Sequence, residues 1–206
     1  MAMKPRLTPR MTFSSLCEYL SASPVRQISI LKDQKYPKTS IVKSYSSAIQ
    51  QIQSLAVDKR PLNPQATGIE PHEQEVLEEL LNNSWSLPSQ RASRPATKMN
   101  PMKVKGVEIS VFPDLLLSDK SGKVSGSLKF YMSKSKELDA EVARWMASFL
   151  YCYKCEVEKD TSAHPNLCMI YNARTDEYFE AGKSYKRLFQ NIEGACQFIG
   201  ALWPVI

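Results

Sequence analysis

The sequence predicts an α/β fold, and three observations carry that reading. Val104, Val107, Ile109 and Val111 alternate with polar neighbours at the period of a strand. Leu138, Val142, Trp145, Phe149 and Tyr153 are spaced four, three, four and four apart, the stripe of an amphipathic helix. From Pro71 onward the two periods take turns, which layers helices against a sheet.

The elements follow in order. Pro5 and Pro9 leave residues 1–11 without a regular pattern. Thr12 is an N-cap for a helix with Phe13, Leu16, Cys17 and Leu20 on one face, and Ser23-Pro24 stops it. A short apolar stretch, Val25 to Leu31, leads to Asp33-Gln34-Lys35-Tyr36-Pro37. A longer helix is expected from Thr39 to about Val57, apolar along Ile41, Tyr45, Ala48, Ile52 and Leu55 and rich in Ser and Gln on the other side. Pro71 opens a compact helix to Asn83 that turns Val76, Leu77, Leu80 and Leu81 inward. Residues 84–101, rich in Ser, Pro and Arg, read as a linker in which Trp85, Arg91 and Arg94 are candidate DNA contacts beside the plainer reading of a loop.

The first strand period runs to Val111, and Phe112–Leu117 is an apolar run broken only by Pro113-Asp114. Ser118 to Lys123 is hairpin chemistry, and Val124–Met132 returns as a third strand. A helix is expected from about Lys136, strands over Leu167–Ala173 and Glu177–Ala181, and a last helix from Ser184 to Trp203-Pro204. The organisation expected is a basic helical module over 1–60, a helix and linker over 61–101, and an α/β core over 102–206 that includes the 71–83 helix.

Composition narrows the class. With 43% apolar and 9% aromatic residues the chain has a core and is not disordered. No apolar run reaches the roughly 18 residues of a membrane span, and no apolar stretch follows the basic N-terminus as a secretory signal would require. A cytoplasmic protein without a membrane partner is expected. The net charge of +6 is uneven: residues 1–60 hold ten Lys/Arg against three Asp/Glu, and the remainder seventeen against eighteen. A basic segment on a neutral domain suits an acidic partner, nucleic acid first, with a solvated basic face as the plain alternative.

The order helix, three strands, helix, strand, together with Pro113, Asp114 and Lys129, resembles the PD-(D/E)XK or restriction-endonuclease-like superfamily over roughly residues 71–206. In addition, Gly126 to Lys134, Asp33 to Pro37 and Ala201 to Pro204 look like a widespread group of uncharacterised bacterial proteins. The superfamily resemblance implies a magnesium-dependent deoxyribonuclease, with Asp114 as metal ligand and Lys129 beside the attacking water. A second acid belongs at position 127, where this chain has Ser127. Relocated acids are available at Glu108, at Glu75, Glu78 or Glu79, and at Asp139 or Glu141, and the sequence does not rank them. The alternative is a non-catalytic member that binds DNA or a protein partner in a bacterial DNA-processing or mobile-element defence system. Lys134, Lys35, Lys38 and Lys43 are the candidate phosphate contacts.

Cys152, Cys155, His164 and Cys168 have the spacing C-x2-C-x8-H-x3-C of a zinc site. Their neighbours are core-like, so buried free thiols are the preferred reading and zinc is not expected. His72 opens a helix with no nucleophile motif nearby. No phosphate-binding glycine loop, dinucleotide glycine pattern or G-x-S-x-G elbow occurs, which argues against nucleotide-cofactor enzymes and α/β-hydrolases.

Overall fold

The computed structural model describes residues 5–37, 45–85, 91–95, 99–119, 121–122, 125–133, 137–182 and 185–206. Within them the chain is mixed α/β, with six helices and two mixed sheets. None of these helices is long and apolar enough to cross a membrane.

Strand β1 (Arg10–Thr12) runs straight into helix α1 (Phe13–Ser21). Thr12 ends the strand and caps the helix, its hydroxyl accepting the Ser15 N–H at 3.1 Å. The stretch read only as apolar is helix α2 (Pro24–Lys35), with Pro24 at its first position, where a missing N–H costs nothing. Helix α3 (Ser46–Asp58) ends on Lys59 in the left-handed conformation; residues 38–44 of the expected Thr39–Val57 helix lie outside the described residues. Helix α4 (Pro71–Asn82) is where the pattern put it and buries Val76, Leu77 and Leu80, but Leu81, expected inward, is exposed. Buried Glu73 locks α3 to α4: it accepts the Glu70 N–H at its own helix start and the Ser47 and Ala48 N–H groups at the start of α3.

The expected linker over 84–101 contains a strand, β2 (Arg91–Ser93), and a buried Trp85. Trp85 packs on Phe130 and Tyr171 and donates its indole N–H to the Tyr178 hydroxyl at 2.7 Å, so it is a core residue and not a DNA contact. Arg94 is paired with Asp58 at 2.5 Å. The first strand period resolves into a hairpin, β3 (Met102–Val104) and β4 (Val107–Ser110). Lys105 and Gly106 both take positive φ, the two-residue turn that matches strand twist. Val104 and Val107 face each other across it, so the apolar spacing runs through the turn and mimics one strand.

Strand β5 (Leu115–Ser118), strand β6 (Ser125–Tyr131), helix α5 (Ala140–Glu156), strand β7 (Ala163–Asn172), strand β8 (Glu177–Glu180) and helix α6 (Tyr185–Leu202) complete the chain. The larger sheet has the order β2-β5-β6-β7-β8, and the smaller β1-β4-β3. β5 and β6 form an antiparallel hairpin, and β6 and β7 are parallel, joined by α5. α5 starts at Ala140 because Asp139 caps it, accepting the Glu141 and Val142 N–H groups. β4 is hydrogen-bonded to β1 and β3, and β5 to β2 and β6.

One core lies between the α5 face of the sheet and helices α1, α2, α5 and α6; the other lies under α3 and α4. Phe13, Leu16, Cys17, Ile30 and Leu31 belong to the first core, and β1 pairs with β4. Residues 10–35 of the expected 1–60 module are therefore part of the central packing. β7 bulges over β6 between Ala163 and Cys168, opposite Gly126. A Cβ at Gly126 would collide with the Leu167 backbone.

Candidate functional site

Asp114 follows Pro113 at the bend into β5 and is held there by three connections. Its N–H donates to the Leu128 carbonyl at 2.8 Å, its Oδ2 accepts the Phe130 N–H at 2.8 Å, and its carbonyl accepts the Gln53 side-chain amide at 2.8 Å. Lys129 stands between Leu128 and Phe130 on β6 and points to the opposite face from them. Its Nζ lies 3.2 Å from Asp114 Oδ1 and 3.4 Å from Oδ2. The structure thus brings Asp114 and Lys129, fifteen residues apart in sequence, into one ion pair in which the carboxylate is 7% and the lysine 23% exposed.

Ser127 is buried two residues before Lys129, next to Cys168 on β7. Burial pushes the Cys168 thiol up to about 12, against opposing hydrogen bonds from Ser127.

The alternative acids have other work. Glu108 pairs with Arg10 at 3.2 Å, Glu79 with Arg174 at 2.6 Å, and Glu78 accepts the amides of Gln65 and Gln74. Asp139 caps α5, and Glu141 accepts the Trp145 indole N–H at 3.5 Å. Among the described residues no group of three or more His, Cys, Asp or Glu is arranged to hold a metal ion. A divalent cation wants several anionic or carbonyl oxygens. One carboxylate already filled by an ammonium and a backbone N–H, beside a buried serine, is a poor donor set for magnesium.

Lys35 donates to the carbonyls of Trp203 at 2.7 Å and Ile206 at 2.8 Å. It ties the end of α2 to the end of α6, so Asp33–Pro37 and Ala201–Pro204 meet in space and Lys35 is committed to that junction instead of to phosphate. Lys38, Lys43 and Lys134 lie outside the described residues. Of the zinc-spaced set, Cys152 and Cys168 are buried, Cys155 is half-buried, and His164 is exposed, with Nδ1 accepting the Asn166 N–H.

Sequence reading missed the residues beyond Lys129 on the same face. Tyr131 and Asn172 are register partners at the C-terminal ends of the parallel strands β6 and β7, where ligands of open α/β sheets bind. With Glu79, Ser133, Leu138 and Arg174 they line a cleft of about 330 Å³. Burial raises the Tyr131 hydroxyl above its usual range; Ser133 opposes this, and Glu18 and Tyr45 add to it. Arg174 Nη2 and Glu79 Oε2 are buried in the same place without a hydrogen-bond partner. The available signal was topological: a βαβ unit with polar residues just past both strand ends.

Compared with known proteins, the chain matches no protein-family model, no curated protein and no solved structure at a significant level.

Proposed function

We propose that this is a nuclease-like protein that binds DNA and does not cleave it. The reading treats α4, the β5–β6 hairpin, α5 and β7 as a restriction-endonuclease-like core, with Asp114 and Lys129 in the positions of the superfamily's acid and lysine. The observation that carries it is the Asp114–Lys129 pair: the two residues named by the motif meet at 3.2 Å, and the carboxylate is already filled by Lys129 and the Phe130 N–H.

Hydrolysis of a phosphodiester by this superfamily needs a metal to activate water and neutralise the leaving oxygen. With serine at position 127 and the other acids engaged elsewhere, that step has no support here. Lys129 then acts by geometry: it holds Asp114 against β6 in an ion pair. The charge surplus of the first 60 residues supports an anionic polymer as partner.

The test is retention of a labelled DNA duplex at low salt, combined with incubation in magnesium and in manganese. Binding that falls steeply with salt and leaves the duplex intact supports the proposal. Absence of binding at low salt removes the nucleic-acid reading and leaves a protein partner.

A further inference from the structure

We infer that the solvent face of α3 and the loop over residues 60–69 form a track for the sugar-phosphate backbone of nucleic acid; this rests on the DNA-binding reading above and specifies its surface. Among the clefts lined by described residues are four of about 330 to 470 Å³. Three of them contain carboxylates: Glu79 and Glu137 in the cleft beside Arg174, Glu141 and Glu180 between α5 and α6, and Asp33 along α2. The fourth, about 430 Å³, contains none.

Its polar lining includes Gln50, Ser54, Arg60, Asn63 and Thr67. Phosphate oxygens accept hydrogen bonds from these amide, hydroxyl and guanidinium types, and a neighbouring carboxylate would repel them. Two acids of α4 that reach this region are engaged: Glu78 accepts the Gln65 and Gln74 amides, and buried Glu73 accepts the Ser47 and Ala48 N–H groups. Between Gln34 and Ile69 the only acid is Asp58, and Arg94 neutralises it at 2.5 Å.

The cleft is also built to keep its shape. Gln51 clamps the loop through two hydrogen bonds, donating its amide to the Asn63 carbonyl at 2.9 Å and accepting the Asn63 N–H at 2.7 Å. Lys59 takes the left-handed conformation, which turns the chain so that the Arg60 N–H donates back to the Ser54 carbonyl at 3.2 Å. Arg60 is thereby placed at the end of α3 with an exposed side chain. Gln53 joins the same helix to the Asp114 carbonyl, so the track and the Asp114–Lys129 pair share one rigid support. Such fixed donors position a backbone without reading its bases.

The experiment measures anisotropy of a short fluorescein-labelled DNA duplex against parent, Arg60→Glu, Arg60→Gln, Gln50→Ala and Lys103→Glu across a salt series. Lys103, exposed on β3, controls for charge reversal away from the track. Arg60→Glu is expected to weaken binding about tenfold or more, and Arg60→Gln to lower the salt slope by about one. Gln50→Ala is expected to weaken binding a few-fold at unchanged slope, and Lys103→Glu to change it less than about twofold. Arg60→Gln and Gln50→Ala keep the test decisive should Arg60→Glu melt below the parent. If the parent binds and the Arg60 and Gln50 variants bind as well as Lys103→Glu, the track is wrong and the DNA-binding reading stands. If the parent itself fails to bind at low salt, both fall.

Discussion

The ammonium of Lys129 lies 3.2 Å from Oδ1 of Asp114 while the Phe130 N–H donates to Oδ2 of the same carboxylate. Asp114 therefore acts as a staple that extends the β5–β6 ladder by one side chain. The two roles of the carboxylate separate by mutation. Asp114→Ala loses both the ion pair and the backbone contact and is expected to cost about 3 kcal/mol. Asp114→Asn keeps an oxygen for the Phe130 N–H and is expected to cost about half of that. Urea unfolding of both variants checks this; equal losses would show that the backbone contact contributes nothing.

Gly126 sits where β7 bulges over β6, with the Leu167 carbonyl in the place of a Cβ. The obstacle is backbone, so neither strand yields cheaply. Gly126→Ala is expected to lower stability by about 2–4 kcal/mol, read as a fall in melting temperature. An unchanged melting temperature would show that the bend opens freely.

Asp160 anchors the start of the same strands. Burial opposes its ionisation, but hydrogen bonds from Ser125 and Ser162 and the nearby Lys154 outweigh it and hold the carboxyl at about 2, below its ordinary 3.8. A depressed carboxyl contributes stability that is fully present above its unfolded value and lost as pH falls toward its folded value. The stability gap between parent and Asp160→Asn is therefore expected to be constant above about pH 4 and to close between about pH 4 and 2. A gap that persists at the acid end would assign the effect to packing.

The thiols give an independent check on the core. Cys17, Cys152, Cys168 and Cys196 are buried and their thiols are pushed up by burial, whereas Cys155 is half-buried. A thiol reagent at neutral pH is expected to modify Cys155 alone in the folded protein and all five cysteines in denaturant. Rapid modification of Cys168 in the folded protein would contradict the packing of β7 against β6.

Helices with one clear apolar face were legible in the sequence. Thr12 capped α1 as its residue type demands, and Pro71 opened α4. The strands were legible by period but not by pairing. Lys105-Gly106 makes a tight turn that preserves apolar spacing, so β3 and β4 read as one strand, and no local signal says that β4 pairs with β1 nearly a hundred residues earlier. Trp85 and β2 were hidden in a Ser/Pro-rich stretch because their partners, Tyr178 and β5, are distant in sequence. Of the candidate site, Asp114 and Lys129 were found by motif and are in contact. The committed roles of Glu108, Glu79 and Lys35 depend on partners from other elements, and only the fold shows them.

The central claim is that the domain binds DNA without cutting it. The most direct measurement follows a labelled duplex incubated with the parent and with Asp114→Ala in magnesium and in manganese, with binding read on the same samples at low salt. The account predicts bound, intact DNA for the parent, with affinity falling steeply as salt rises. Cleavage by the parent that Asp114→Ala abolishes would contradict it.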